Sequence, residues 1–373
     1  ASDGGISKYP HDSLTFELEN FNIGIVNMFL NKKFDIQGHF SGNGILSDLY
    51  SAPKAFFDIK GSSVSVYGTD VGNIKMMSKW LPEDKSLNLM LITNRNNENN
   101  FSASVFYKPE TAYLNLTASL NDLSVSYFEP FLSDLISKTS GSLSGRLNLA
   151  GPLDKLALVG ENCRFNKLGF ILNFTKVPYT IDGPFSLNER GLVFQNLPIV
   201  DRFGSKGVIN GRLIYDYFRN VALDTKVNFT NLQCLDTKEK DNEFFYGSAF
   251  ATGSVHLKGP LSNIAIDIKA VSNKRTSIHI PLSNSATAIQ TNLLNFVEPD
   301  IVKYIDPYDT LVVNNTGKMA KKSNLQVAIQ TQVTSDAEIM IEIDKSVGDV
   351  IKAKGNGNIS LDIDPQREIF DIY

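Results

Sequence analysis

One stretch of this sequence occurs twice, and it limits the folds that are open to the chain. The copies are residues 145–160 and 253–268, and each reads as a strand, a Gly-Pro turn and a second strand. Identical residues occupy the matched pairs Gly145/Gly253, Leu149/Leu257, Gly151/Gly259, Pro152/Pro260, Leu153/Leu261 and Ala157/Ala265. Proline fixes φ and glycine tolerates positive φ, so Gly-Pro is typical of a tight turn. A unit repeated in this way indicates an architecture that grows by adding strands.

Apolar residues alternate with polar ones through most of the chain, which gives each strand one apolar face. We therefore predict a mostly β fold: an elongated, curved antiparallel sheet that forms a groove, with a few short helices. Glycines such as Gly145, Gly211 and Gly247 are expected where the sheet bends. The residues predicted to line the apolar face are Leu147, Leu149, Leu156, Leu158, Leu223, Val227, Phe229, Val255, Leu257, Ile264, Ile266, Ile339, Ile341 and Ile343.

A few segments depart from the alternation. Helical spacing or capping residues predict short helices at 21–31, 70–80, 124–137 and 292–305. Polar composition predicts exposed, mobile loops at 94–100, 236–243 and 313–324. We expect three segments: 1–120 with two short helices, 121–270 with the repeated groove unit, and a truncated strand segment at 271–373.

Composition excludes several classes of partner. The net charge is −4 without a basic cluster, so we predict no binding to nucleic acid. No run of about eighteen apolar residues is present, and no signal peptide is expected at Ala1. Cys163 and Cys234 are the only cysteines, which allows one disulfide at most; the sequence leaves open whether they pair.

Catalytic and cofactor motifs are absent from the sequence. The histidines, His11, His39, His256 and His279, lack the spacing of metal ligands. Asp362 and Asp364 share one face of a strand pattern, which favours a solvated face over a pair of catalytic carboxylates. We therefore expect no enzymatic activity, no cofactor and no metal site.

Four runs carry a family resemblance, and the first, residues 113–131, resembles a short strand–helix connector. Residues 140–153 resemble a segment that opens a repeat and contains spaced Ser-Gly and Gly-Pro pairs. Residues 197–213 resemble a segment built around Asp-Arg-Phe-Gly. Residues 245–259 resemble a segment that begins near Tyr-Gly and ends in Gly. In this order they resemble the C-terminal half of the TamB family, a branch of the AsmA-like envelope proteins, particularly its Bacteroidetes-type members. Residues 1–110 match more loosely.

The resemblance implies a role in the Gram-negative envelope. Members are anchored in the inner membrane, cross the periplasm and end near the outer membrane beside a barrel-assembly partner. Their bent sheet implies phospholipid acyl chains as partners, in lipid transport between the membranes or in outer-membrane protein assembly. This chain is expected to be a periplasmic portion without the N-terminal anchor and the final segment, through which a barrel partner would bind.

Other interpretations remain open at this stage. The same apolar residues would also form the closed core of a β-sandwich. The alternative function is a surface β-solenoid adhesin or a carbohydrate-binding module. Such a module would display Trp and Tyr on one face, whereas Trp80 is the only tryptophan and is predicted to lie in a helix. An enzyme is the third possibility.

Overall fold

The computed structural model describes residues 13–28, 35–48, 54–95, 98–133, 135–216, 220–242, 245–260, 262–281, 325–344, 349–364 and 369–372. The chain divides into two compact units, Ala1–Val227 (unit 1) and Asn228–Tyr373 (unit 2). Strands dominate both units and every described helix is short, so the prediction of a mostly β fold is confirmed. The division at residues 120 and 270 stays a prediction.

Unit 1 contains strands β1 to β13 and the start of β14. Their bounds are β1 Ser13–Asn22, β2 Ile36–Ser47, β3 Lys54–Val66, β4 Thr69–Leu81, β5 Ser86–Arg95, β6 Glu98–Lys108, β7 Tyr113–Ser124, β8 Ile136–Pro152, β9 Ala157–Leu172, β10 Val177–Pro184, β11 Ser186–Asn188, β12 Gly191–Asp201, β13 Lys206–Asp216 and β14 Asn220–Thr237. Neighbours pair antiparallel from β1 to β9. Both β10 and β11 pair with β9 and with β12, which also pairs with β13.

The described helices are short segments of three to six residues between strands. They are the 3-10 helices Ile23–Met28, Pro109–Thr111, Val125–Phe128 and Glu239–Asp241 and the α-helix α1, Glu129–Leu132. The predicted helix at 124–137 is present but ends at Leu132. The Ser124 hydroxyl accepts a hydrogen bond from the Ser126 amide, and Pro130 lies in the first turn of α1. The predicted helix at 21–31 is the turn Ile23–Met28.

Segment 70–80 is a strand, so the prediction of a helix there is wrong. Strand β4 pairs with β3 on one side and β5 on the other. Met76 and Trp80 lie on its apolar side, but Ser78 stands between them and hides the alternation. Ser78 is buried, and its hydroxyl donates to the Ala55 carbonyl at 3.1 Å, which satisfies a polar group on this face.

Bulges interrupt the strands of unit 1 at residues with positive φ. Asp122 has φ 53° and Asn196 has φ 52°, and the strand register shifts beside each of them. A polar side chain on the neighbouring strand accepts the amide of each bulged residue: Ser144 Oγ lies 3.2 Å from Asp122 N, and Asn210 Oδ1 lies 2.8 Å from Asn196 N. Bulges increase local twist and bending, so these residues curve the sheet.

Unit 2 contains the remainder of β14 and eight further strands. They are β15 Tyr246–Pro260, β16 Ile264–Ser272, β17 Ser277–Pro281, β18 Leu325–Val333, β19 Glu338–Asp344, β20 Asp349–Ala353, β21 Gly357–Asp364 and β22 Ile369–Ile372. Strand β15 pairs with both β16 and β17. The β16–β18 and β17–β19 pairings are parallel, so the sheet is mixed, whereas the sequence predicts antiparallel pairing.

A line of polar residues crosses unit 2 where its strands break. This polar seam consists of Asn231, Thr252, Ser272, Asn273, Thr334 and Asn356. The Asn231 amide donates to Thr252 Oγ1 at 3.0 Å, and Thr252 Oγ1 donates to Asn273 Oδ1 at 2.8 Å. The Thr334 amide donates to Ser272 Oγ at 2.9 Å. These bonds satisfy backbone groups that the interrupted ladder leaves without strand partners.

The repeated stretch and the predicted loops have different outcomes. Both copies are hairpins, β8–β9 and β15–β16, as predicted. Most of segment 94–100 belongs to strands, because Arg95 of β5 pairs with Glu98 of β6. The prediction of a loop that spans this segment is therefore wrong. Segment 236–243 continues β14 to Thr237 and then forms a 3-10 turn. The predicted helix at 292–305 and loop at 313–324 lie outside the described residues.

Candidate functional site

Apolar side chains line up across the strands of unit 1 in continuous rows. Paired residues point to the same side of a sheet, so successive pairings trace each row. Row 1 runs Leu18, Gly42, Ile59, Met76, Leu91, Ala103, Ala118, Leu147, Gly160, Leu187, Leu192 and Leu213. No charged or polar side chain occurs in it.

A second row runs beside the first. Row 2 is Phe16, Gly44, Phe57, Ser78, Leu89, Val105, Leu116, Leu149 and Leu158, and Ser78 is its only polar member. The row on the opposite side of the same strands is Ser41, Lys60, Lys75, Ile92, Ser102, Ser119, Arg146 and Glu161. Unit 1 therefore has one apolar and one polar face, and we call the side with rows 1 and 2 the apolar face.

The structure brings together the four residues that the first repeat contributes to the predicted site. Leu147 is in row 1, and Leu149 and Leu158 are paired in row 2. Leu156 immediately precedes β9, and its backbone lies next to Gly151 on the same side. All four leucines are half-buried.

The apolar face is incompletely covered in the part of the chain that the structure describes. Most members of rows 1 and 2 are half-buried, although Ala118 is only 3% exposed and Leu187 7%. A closed core normally excludes water from nearly all of its apolar side chains. No described helix exceeds six residues, so no long helix packs over the rows. The geometry is therefore that of an apolar face with room for further apolar contacts.

The hydroxyl of Tyr215 contacts two backbone carbonyl groups in the sheet of unit 1. Its hydroxyl lies 2.7 Å from the Leu158 carbonyl oxygen and 3.0 Å from the Asn188 carbonyl oxygen. Leu158 lies in β9 before the residues that pair with β10 and β11, so this carbonyl has no partner from those strands. The phenol is buried, and burial raises the pKa of Tyr215 to about 12.

We expect Tyr215→Phe to lower the free energy of unfolding by about 1–3 kcal/mol, because the buried hydroxyl and its part-buried hydrogen bonds to the Leu158 and Asn188 carbonyls are lost. The raised pKa also means that the folded state holds the phenol neutral after the unfolded state has ionised. This contribution is complete below about pH 10 and is lost as the pH rises to about 12. Urea unfolding across that range measures both effects. The matched control is Tyr113→Phe, since Tyr113 is 37% exposed; an equal loss in both variants contradicts the assignment.

Unit 2 has apolar rows of the same kind. One row is Val255, Ile268, Ile329 and Leu361, and the next is Leu257, Ile266 and Val327. The intervening row on the other side is His256, Asp267, Ala328 and Asp362. The predicted residues Val255, Leu257 and Ile266 thus lie together, and Ile264 precedes Ile266 on the same side of β16. Val327, Ile268 and Ile329 belong with them, although they were not among the predicted site residues.

The remaining predicted residues have less uniform positions. Ile339 and Ile341 lie in β19, where they pair with Ile278 and Ile280 of β17 and are half-buried. Ile343 is 48% exposed and lies within a register shift between Glu342 and Asp344. Leu223, Val227 and Phe229 alternate along β14, and Val227 and Phe229 are buried.

Glu342 is not the outward-facing residue that alternation along β19 predicts. It is 7% exposed, and its Oε1 accepts the Tyr246 hydroxyl at 2.6 Å and contacts His279 Nδ1 at 2.8 Å. The Tyr246 and His279 rings stack with centroids 4.6 Å apart. Burial, with the hydrogen bond to Glu342, raises the pKa of Tyr246 to about 12. Sequence reasoning missed this cluster because its members are separated by up to 96 residues.

The two cysteines are thiols, and burial raises the pKa of Cys163. Among the described residues, no group of three or more His, Cys, Asp and Glu side chains is placed to hold a metal ion. The arrangement offers apolar surface and structural hydrogen bonds, which suits the binding of apolar chains.

Residues 199–369 match the family model of the TamB C-terminal domain. The matched segment, 171 of the 373 residues, is assigned to the TamB family. No curated protein and no solved structure matches it. The TamB match begins in β12 and extends into β22, so it includes both apolar rows of unit 2.

The TamB domain match supports a role in envelope lipid transport or assembly in general. The family is one of transport and assembly and is not known for enzymatic activity. It is associated with the envelope, and with lipids and TamA as partners. No helix in the described ranges is long and apolar enough to cross a membrane.

Proposed function

We propose that this chain is a periplasmic part of a TamB-like envelope protein, and that its apolar faces carry phospholipid acyl chains between the inner and outer membranes. The observation that supports this most is the pair of rows in unit 1, which are apolar from β1 to β9 apart from Ser78 and yet remain mostly half-buried. Contact with acyl chains would remove that surface from water at roughly 25 cal/mol per Å².

The polar face supports the same function from the other side. Its charged and hydroxyl side chains keep the outer side of each unit hydrated, so an acyl chain is favoured only on the rows. The apolar rows present few hydrogen-bonding groups, which fits cargo recognised by its hydrocarbon and not by a particular headgroup. Contact with a barrel partner such as TamA belongs to this proposal through the family and not through a surface of the described residues.

The proposal predicts crosslinks to lipid at apolar-row positions. A photoreactive residue at Leu149 or Leu257 should yield phospholipid adducts when the chain is expressed in a Gram-negative periplasm. The same probe at Asn148 or His256, the adjacent positions on the polar face, should yield few. Mass spectrometry of the purified chain identifies the adducts.

Two other results would contradict a lipid path or favour a different role. Adducts with outer-membrane proteins at Leu149 and Leu257 would favour protein assembly as the direct role. Equal labelling at the apolar and polar positions would contradict a lipid path. The carbohydrate-binding alternative has one feature in its favour, since Trp80 and Tyr107 share a row through Leu87. That row continues with Leu114, however, so it is not a dedicated aromatic platform.

A further inference from the structure

A row with two aromatic residues borders the apolar face of unit 1. Trp80 of β4 pairs with Leu87 of β5, and Leu87 pairs with Tyr107 of β6. The row continues to Leu114 of β7. It runs beside row 2, since Trp80 lies two residues after Ser78 on the same side of β4. We call it the margin row, because β4 and β6 each end one residue beyond it.

Both aromatic side chains have a polar tip without a described hydrogen-bond partner. Trp80 and Tyr107 are half-buried, so part of each ring contacts the sheet. Within the described ranges, neither the Trp80 indole N–H nor the Tyr107 hydroxyl forms a hydrogen bond, and both atoms are open to solvent. An aromatic ring with an apolar body and a wet polar tip suits the boundary between hydrocarbon and water.

Burial increases away from the margin row. Along β7, Leu114 and Leu116 are half-buried, whereas Ala118 is 3% exposed and Leu120 is 7% exposed. The distance from Leu114 to Leu120 is about 20 Å, at roughly 3.4 Å per residue. Half the hydrocarbon thickness of a bilayer is about 15 Å, so an acyl chain that lies along the strands fits between the margin row and the buried end.

The charges around the margin row are balanced, with four basic and four acidic side chains. They are Lys54, Lys79, Lys85, Lys108, Asp48, Glu83, Asp84 and Glu110. Lys54 Nζ lies 2.6 Å from Asp48 Oδ2, and Lys85 Nζ lies 2.9 Å from Glu110 Oε1. The margin row therefore does not select a charged group. Its two neutral donors instead match neutral acceptors, such as the ester carbonyls of a glycerolipid.

We propose that the margin row binds the glycerol ester groups of a phospholipid whose acyl chains lie on rows 1 and 2. Trp80 and Tyr107 donate hydrogen bonds to the ester carbonyls, and the methyl ends of the chains point toward Ala118 and Leu120. This site rests on the proposed lipid path and adds an orientation to it. Because phospholipids with different headgroups share these ester groups, the site accepts cargo irrespective of the headgroup.

The fluorescence of Trp80 tests this orientation without a substitution, since Trp80 is the only tryptophan. The whole chain is loaded with phosphatidylcholine that carries a nitroxide quencher either beside the ester groups or at the methyl end of one acyl chain. It is then separated from vesicles. The ester-side label should quench Trp80 more strongly than the methyl-end label.

The matched control places the tryptophan deeper on the same strand. In Met76→Trp with Trp80→Phe, the probe lies in row 1, and the methyl-end label should quench it more strongly. Circular dichroism confirms that this variant is folded.

A phosphatidylcholine with ether-linked chains tests the two donors, because it lacks the ester carbonyls. The wild-type chain should bind the ester-linked lipid more tightly than the ether-linked one. Tyr107→Phe should reduce this preference by about two- to tenfold, the equivalent of one hydrogen bond. Tyr113→Phe is the control and should keep the preference, since Tyr113 precedes Leu114 and lies on the other side of β7.

The ester site and the lipid path can fail separately. The ester site is overturned if the methyl-end label quenches Trp80 at least as strongly as the ester-side label, or if the two lipids bind equally. Lipid adducts at Leu149 would still support the path in either case. A chain that retained no labelled lipid and gave no adducts at Leu149 would overturn the path and the ester site together.

Discussion

Replacing Gly211 by alanine is expected to lower the free energy of unfolding by about 3–5 kcal/mol, a loss in the range of severe single substitutions. Gly211 has φ +139°, which side-chain-bearing residues rarely adopt. An added Cβ would lie 2.3 Å from the Asp224 carbonyl oxygen and 2.5 Å from the Thr225 Cα. Both atoms are backbone of β14, so relief requires the two strands to separate, and chemical denaturation measures the cost.

Gly355 supplies the matched control. It lies between β20 and β21, and an added Cβ would meet nothing within 4 Å. We expect Gly355→Ala to change the free energy of unfolding by less than about 0.5 kcal/mol, as for most surface substitutions. If the Gly211 variant were as stable as the Gly355 variant, the close approach of β13 and β14 would not be a feature of the folded protein.

The repeat and the alternation predict much of the fold because their signals are local. The hairpins at 145–160 and 253–268 follow from Gly-Pro turns between alternating segments, and the structure has both. Leu147, Leu149 and Leu158 lie on one side for the same reason, since side chains in an uninterrupted strand alternate. Sequence patterns therefore identify a strand and its apolar side wherever no bulge intervenes.

The failures occur where distant residues decide the structure. Ser78 interrupts the apolar alternation of β4, and a helix is therefore predicted there. Its hydrogen bond to the Ala55 carbonyl, 23 residues away, explains why a polar residue lies on the apolar side. Glu342 alternates with Ile341 and Ile343 along β19, a pattern typical of a solvated residue, but Tyr246 and His279 contact it from other strands. The parallel partners of β16 and β17 are likewise long-range, and no local pattern specifies them.

Two aspartate substitutions in one apolar row of unit 2 should show whether that row is a closed core or a face that water can reach. Val327 is 6% exposed and lies between β16 and β21. Val327→Asp should lower the free energy of unfolding by about 3–5 kcal/mol, because a buried carboxylate has no partner there. Leu257 is half-buried at the β15 side of the same row, so Leu257→Asp should cost less than about 2 kcal/mol, since water can reach the charge.

The same Leu257→Asp change should nevertheless abolish most lipid labelling at Ile266, its paired neighbour in the row. A carboxylate beside the hydrocarbon would have to lose water as the acyl chain passed, which opposes binding strongly. Ser254→Asp is the control, because Ser254 lies on the other side of β15 and pairs with Lys269. It should leave both stability and labelling unchanged. Unfolding of the Leu257 variant to the same extent as the Val327 variant would mean that this row is a closed core, and the lipid path would then have to be abandoned for unit 2.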